Sequence, residues 1–387
     1  MKVFLIALII VLISVFSITI FRQAKQTSSE KAKVELCSNV LEKSKKQQCW
    51  DEIMSKTLEK EGLDKAFILM DELFHSDPEF ASNCHGFAHK LGEKAYMLYA
   101  NHKSFDLPNK TYYCGYGFYH GFMEKLLHNK GTLDEARDFC KLAGEKLKAQ
   151  NADAEGACYH GIGHGAVEDV TDPRLFGNPQ GIIQPSLNLC ERVSDSSDHL
   201  FRCITGVFNA LEIVTSEGRY NLSLNQKDPL WICRTQPDKY KRACYTQMVV
   251  AVMHVTFDDF VQSAQILNTI PEDAWATESL SGLMMESVRL GRTDFRKTAE
   301  FCRNITDRFH FPCISGFAEG FLKYGPPQTE YVKALDFCLF EFLTDEEHKA
   351  CYGRILPILS NWYTHEKVSQ ICLSVSEKYR SWDCKYN

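Results

Sequence analysis

Three short phrases carry the residues best suited to chemistry: Gly86-Phe-Ala-His89, Gly117-Phe-Tyr-His120 and Gly161-Ile-Gly-His164. Each histidine is followed four residues later by a glutamate: Glu93, Glu124 or Glu168. Two are also preceded four residues earlier by another histidine, His85 or His160. On a helix, positions four apart share a face, with β-carbons about 6 Å apart. The phrases therefore read as ligand stripes, and helices packed about 8–10 Å apart in register bring His89, His120 and His164 to one surface. Imidazole with carboxylate suits zinc, copper, iron or manganese. The candidate metal-binding set is thus His85, His89, His120, His160, His164, Glu93, Glu124 and Glu168. The glutamates fit three roles: ligand, partner that fixes an imidazole tautomer, or general base on metal-bound water. A structural polar network is the competing reading, and haem ranks behind a bare ion. Tyr116 stands where the other copies have histidine, four before His120, and fits a ligand, a hydrogen-bond donor or a core residue.

The elements that must position these residues are written in the 16 cysteines. They fall into short-spaced pairs: Cys37/Cys49, Cys140/Cys158, Cys190/Cys203, Cys233/Cys244, Cys302/Cys313, Cys338/Cys351 and Cys372/Cys384. A helical phrase leads into several first cysteines, as in Glu135-Ala-Arg-Asp-Phe-Cys140 and Lys333-Ala-Leu-Asp-Phe-Cys338. An apolar phrase follows the second, as in Cys158-Tyr-His-Gly161 and Cys313-Ile-Ser-Gly316. Second cysteines recur mostly at about 33 to 45 residues, the period of helical-hairpin repeats. Helix A carries one cysteine, a loop turns the chain, and helix B opens with the other. The disulfide staples the hairpin, and each hairpin buries its remaining apolar face on its neighbours. The region around Ser281-Gly282 reads as a copy without cysteines, and Met248–His254 as a buried helix despite its strand-like composition. Cys84 and Cys114 stand outside the scheme; a mutual disulfide is favoured over a pair of metal-binding thiolates.

The expected fold is all-α: an α/α-hairpin solenoid of superhelical repeats stapled by intra-repeat disulfides. One N-terminal transmembrane or signal helix precedes it. The architecture resembles tetratricopeptide-type α/α repeats over residues 35–387. The histidine stripe fades along these repeats. The place of His164 becomes Asn209, Val250, Met285, Glu319 and Leu356 in later copies. A residue needed only for repeat packing would not be confined to three neighbouring copies, so the decay points to a local site in residues 84–170. His254 and the remaining histidines carry no pattern and read as ordinary polar residues.

Several chemistries are excluded by motif. No His-Glu-x-x-His helix, Cys-x-x-Cys-His, Walker A loop or Gly-x-Ser-x-Gly elbow occurs. Asn83-Cys84-His85-Gly86 and the later His-Gly phrases resemble the zinc motifs of lanthionine cyclases. That family consists of zinc-dependent α/α toroids, and the resemblance implies Cys84 and His85 as zinc ligands.

The setting follows from the N-terminus and from the cysteines. Residues 3–21 contain no charge and are long enough to span a bilayer. They read as an uncleaved anchor in preference to a cleaved signal peptide, since no small-x-small site follows. Residues 1–21 are thus the anchor or signal, 22–36 a polar tether, and 37–387 the repeat domain. An even, dispersed cysteine count places that domain in an oxidising, extracytoplasmic compartment. Asn109, Asn221 and Asn304 head glycosylation sequons that fit this setting. A net charge of −6 without a basic cluster disfavours nucleic acid. The expected function is metal binding by a membrane-anchored or secreted repeat protein, with metal-assisted hydrolytic or redox chemistry as its extension. The alternative is a non-catalytic scaffold that binds a protein or peptide on the repeat surface.

Overall fold

The computed structural model describes residues 35–101, 106–129, 131–149, 153–168, 170 and 172–380. The apolar N-terminal run, nearly all of the tether and Cys384 lie outside them. Among the described residues there is no strand, and no helix is long and apolar enough to cross a membrane. The helices are α1 (Lys43–Glu61), α2 (Leu63–Ser76), α3 (Pro78–Ala100), α4 (Gly117–His128), α5 (Leu133–Leu147) and α6 (Ala154–Glu168). Next come α7 (Pro179–Val193), α8 (Ser197–Ser216), α9 (Trp231–Arg234), α10 (Asp238–Gln247), α11 (Val249–Val255) and α12 (Phe260–Leu267). The chain ends through α13 (Asp273–Arg289), α14 (Phe295–Asn304), α15 (Asp307–Tyr324), α16 (Glu330–Cys338), α17 (Asp345–Ile358) and α18 (His365–Ser374).

Two compact units meet in the chain at Cys84 and His85. In the first, α1 packs on α2. Trp50 meets Phe80 edge-on at 5.4 Å, and Lys46 pairs with Asp77 at 2.6 Å. The second unit is built from hairpins. Helix α5 shows how sequence makes one. Thr132 and Glu135 form a capping box at its start, and Ala136, Phe139, Cys140 and Ala143 put one apolar stripe inside. The cysteine-free copy is α12 with α13, and Met248–His254 falls largely in α11 with Val249, Ala251, Val252 and Met253 buried.

The second helices of successive hairpins line up side by side. Helix α4 packs on α6, α6 on α8, α8 on α10, α10 on α13, α13 on α15, and α15 on α17. This row comes back to its start, because the Tyr116 hydroxyl donates to the Asn361 carbonyl at 2.8 Å across 245 residues of sequence. An open superhelix would hold those residues apart.

Disulfides join Cys37–Cys49, Cys140–Cys158, Cys190–Cys203, Cys233–Cys244, Cys302–Cys313 and Cys338–Cys351, as the hairpin scheme expects. Cys84, Cys114 and Cys372 are disulfide-bonded as well, so none of the described cysteines offers a thiolate. The Cys302–Cys313 bond spans 11 residues of sequence. Loop entropy then assigns it roughly 2.5–3 kcal/mol. The double variant Cys302→Ala/Cys313→Ala is expected to lose about that much in urea denaturation. A loss below about 1 kcal/mol would show that the α14–α15 hairpin holds without its staple.

Candidate metal centre

The site lies on three neighbouring helices, α3, α4 and α6. Their approach is set by glycine. A β-carbon on Gly121 would stand 1.9 Å from the His89 carbonyl oxygen, so α4 meets α3 backbone to backbone. Gly206 does the same for α8 against the His160 carbonyl. Short interhelix distances let short side chains such as histidine and glutamate touch across the gap.

The three histidines converge as equal register implies, with ring centroids 6.4 Å apart for His89 and His120, 6.2 Å for His89 and His164, and 4.7 Å for His120 and His164. His89 from α3 and His164 from α6 converge on Glu124 from the middle helix. His89 Nε2 lies 2.9 Å from Glu124 Oε1, and His164 Nδ1 lies 2.7 Å from the same oxygen. These three donors fall within 4.8 Å of one another and form a group that can hold a metal ion. Glu93 approaches the far side of His89, with 3.3 Å between its Oε1 and Nδ1. His120 belongs to the layer beside this triad. Its ring stacks on His164 at 4.7 Å and on His160 at 4.9 Å, and meets His85 edge-on at 5.1 Å.

The remaining sequence candidates are placed differently. His85 Nδ1 donates to the Cys114 carbonyl at 2.8 Å. His160 Nδ1 meets Thr205 Oγ1 at 2.9 Å, and Thr205 spends its own hydrogen on the Arg202 carbonyl at 2.6 Å. The Thr205 oxygen therefore accepts from His160. Both imidazoles are held as Nδ1–H tautomers, with the lone pair on Nε2. Glu168 stands apart from the cluster: the Arg219 guanidinium grips its carboxylate, one nitrogen at 2.8 Å. Cys84, implicated as a zinc ligand by the lanthionine cyclase resemblance, has its sulfur in a disulfide. His254 sits beside Ser216, 2.8 Å from its hydroxyl.

The electrostatics of the cluster divide it. Burial opposes charge on His89, but hydrogen bonds to Glu124 and Glu93 outweigh it and carry its pKa up to about 9. Burial likewise opposes the Glu124 carboxylate, yet His164 and His89 hold it down to about 2. Without metal, His89 and Glu124 therefore form an ion pair. Burial drives the other way at His85, whose pKa falls to about 4, and at His120 and His160, which fall well below the usual histidine value. These three stay neutral near pH 7.

Two nitrogens decide what the cluster fits. His164 is 3% exposed and His120 6%. The Nδ1 atoms of both are buried without a hydrogen-bond partner. At 2.7 Å, His164 Nδ1 is close enough to bond Glu124, but the two atoms are not aligned on each other. Donors that crowd together without pointing at one another suit ligands that share an ion. Around an ion bound at about 2.0–2.2 Å, three donors sit roughly 3.3 Å apart, close to the spacing found here.

No protein-family model matches the chain, and no curated protein matches it. The resemblance to tetratricopeptide-type repeats therefore rests on all-helical, hairpin-built architecture alone.

Proposed function

We propose that this is an extracytoplasmic metal-binding protein that holds one divalent transition metal ion on His89, Glu124 and His164. The observation that carries the reading is the convergence of one donor atom each from His89, Glu124 and His164 within 4.8 Å of one another. Two imidazoles and one carboxylate suit zinc, iron, copper or manganese, and three protein ligands leave coordination positions open. Open positions characterise catalytic sites rather than closed structural ones, so the reading extends to a metal-dependent enzyme, hydrolytic in the first instance. The ion would supply Lewis acidity at those positions. Glu93 orients His89 from behind, and the stacked ring of His120 fixes His164 in place. The disulfides support an oxidising compartment, and the uncharged run at residues 3–21 supports tethering to a membrane.

The test is metal content. Purified protein dialysed against buffer is expected to retain about one equivalent of zinc, iron, copper or manganese, and a chelator is expected to lower its melting temperature. His89→Ala is expected to carry none. Substoichiometric metal in the parent, with a melting temperature indifferent to chelator, would sink the proposal.

A further inference from the structure

Three asparagines head glycosylation sequons, and the folded chain presents them unequally. Asn109 is exposed, but Thr111, which completes its sequon, is fully buried with its hydroxyl 2.9 Å from that of Tyr119. Asn304 closes α14, and its amide already donates to the Glu300 carbonyl at 2.8 Å. Asn221 differs from both. Asn221 and Ser223 are exposed, and neither side chain makes a hydrogen bond among the described residues. The turn that carries Asn221 is nonetheless fixed. Gly177 donates its N–H to the Tyr220 carbonyl at 2.8 Å, and the Tyr220 hydroxyl donates to the Glu168 carbonyl at 2.9 Å. The Asn221 backbone is left-handed, with φ 54°, a region that asparagine enters more readily than most residues.

Asn221 also borders a groove of about 260 Å³, lined in addition by Leu211, Leu222, Trp231, Ile232 and Met248. Leu222, Ile232 and Met248 are buried and Trp231 is half-buried, so an apolar wall stands beside the acceptor amide. Pockets for drug-sized ligands measure roughly 300–1,000 Å³. A smaller groove with one aromatic wall suits a single ring.

We propose that Asn221 carries an N-linked glycan and that its first sugar seats in the groove beside Trp231. The inference rests on the extracytoplasmic reading, since sequons of this kind are modified in secreted chains. The donor is an oligosaccharide carried on a lipid pyrophosphate. The Asn221 Nδ2 forms a bond to the anomeric carbon of the sugar, and the bond from that carbon to the phosphate oxygen breaks. The lipid pyrophosphate leaves with the electron pair, and Nδ2 gives up one of its two protons. One face of a pyranose is made of C–H groups and packs on an indole, while its hydroxyls stay in water. Because the turn already holds Asn221 in place, seating the sugar orders little further chain.

The experiment begins with mass spectrometry of the protein purified from its own cells. The peptide that contains Asn221 is expected to carry hexose or hexosamine mass, and Ser223→Ala is expected to remove it. Ser223→Ala is the right variant because it destroys the sequon and leaves the left-handed asparagine in place. Scanning calorimetry then reads the groove. The parent is expected to melt roughly 2 °C above Ser223→Ala. In a Trp231→Ala background that gap is expected to fall by at least about half, with the glycan still attached; Trp231→Leu serves if Trp231→Ala does not fold. A bare Asn221 would overturn the proposal, and so would a glycan whose loss leaves the melting temperature unchanged or costs as much without Trp231 as with it. The unreduced sample separates this outcome from the compartment reading. Intact disulfides with a bare Asn221 would sink the glycan alone, whereas free thiols would sink the oxidising compartment.

Discussion

Glu124→Ala is expected to abolish metal retention and to weaken metal affinity by at least about a hundredfold. Loss of a residue that merely orients a ligand typically costs 10–100-fold, and Glu124 is placed as a ligand itself. Its carboxylate also bridges His89 and His164, at 2.9 and 2.7 Å. Competition against a chromophoric chelator measures the change; affinity within tenfold of the parent would remove Glu124 from the ligand set. The parent should show a pH signature that the variant lacks. With its pKa up at about 9, His89 is protonated at neutral pH in the metal-free protein, so uptake of the ion must expel that proton. Apparent affinity is then expected to rise about tenfold per pH unit up to about pH 9.

The same pair shapes the stability of the metal-free protein. His89 lies above its ordinary value of 6.5, so its contribution is complete below pH 6.5 and is lost as pH rises through about 9. Glu124 lies below its ordinary value of 4.5, so its contribution is complete above pH 4.5 and is lost as pH falls through about 2. Between those limits the ion pair stabilises fully, and Glu124→Ala should flatten the profile at both ends.

Gly121→Ala is expected to destabilise the second unit by about 4 kcal/mol or more, among the largest effects of a single methyl group. The added β-carbon would lie 1.9 Å from the His89 carbonyl oxygen and 2.7 Å from its carbon. Those atoms belong to the backbone of α3 and cannot rotate aside as a side chain does, so the two helices must separate. Separation draws His89 away from Glu124, and metal binding should fail together with stability. Urea denaturation with metal analysis on the same sample checks both. Stability within about 1 kcal/mol of the parent would show that α3 and α4 can slide apart at little cost. By contrast, a β-carbon on Gly86 meets nothing within 4 Å. Gly86→Ala is the matched control that should leave metal content unchanged and stability equal or up to about 1 kcal/mol higher, since alanine suits a helix interior better than glycine.

The amino-acid sequence by itself determined the hairpins and their staples. Cysteine spacing and the phrases around it are local signals, and a disulfide across one hairpin reports only on residues close in sequence. Helix formation was legible for the same reason: the stripe of Ala136, Phe139, Cys140 and Ala143 is complete within α5. The histidine–glutamate stripes marked the right three helices, since ligand spacing along a helix is also local. What the stripes could not specify is how one helix slides along the next. The packed helices do join the rings of His89, His120 and His164, and they also bring the Glu124 carboxylate against both His89 and His164, which the stripes alone did not single out from Glu93 and Glu168. That register is fixed by where backbones touch at Gly121 and Gly206, a property of pairs of helices rather than of either one. Glu168, identical in pattern to Glu124, is taken by Arg219 from 51 residues away, a choice no local pattern carries. The return of the helix row, with Tyr116 on Asn361, likewise belongs to the tertiary structure. It sums small rotations between successive hairpins, each set by side-chain packing, and only their total decides whether the far end meets the site.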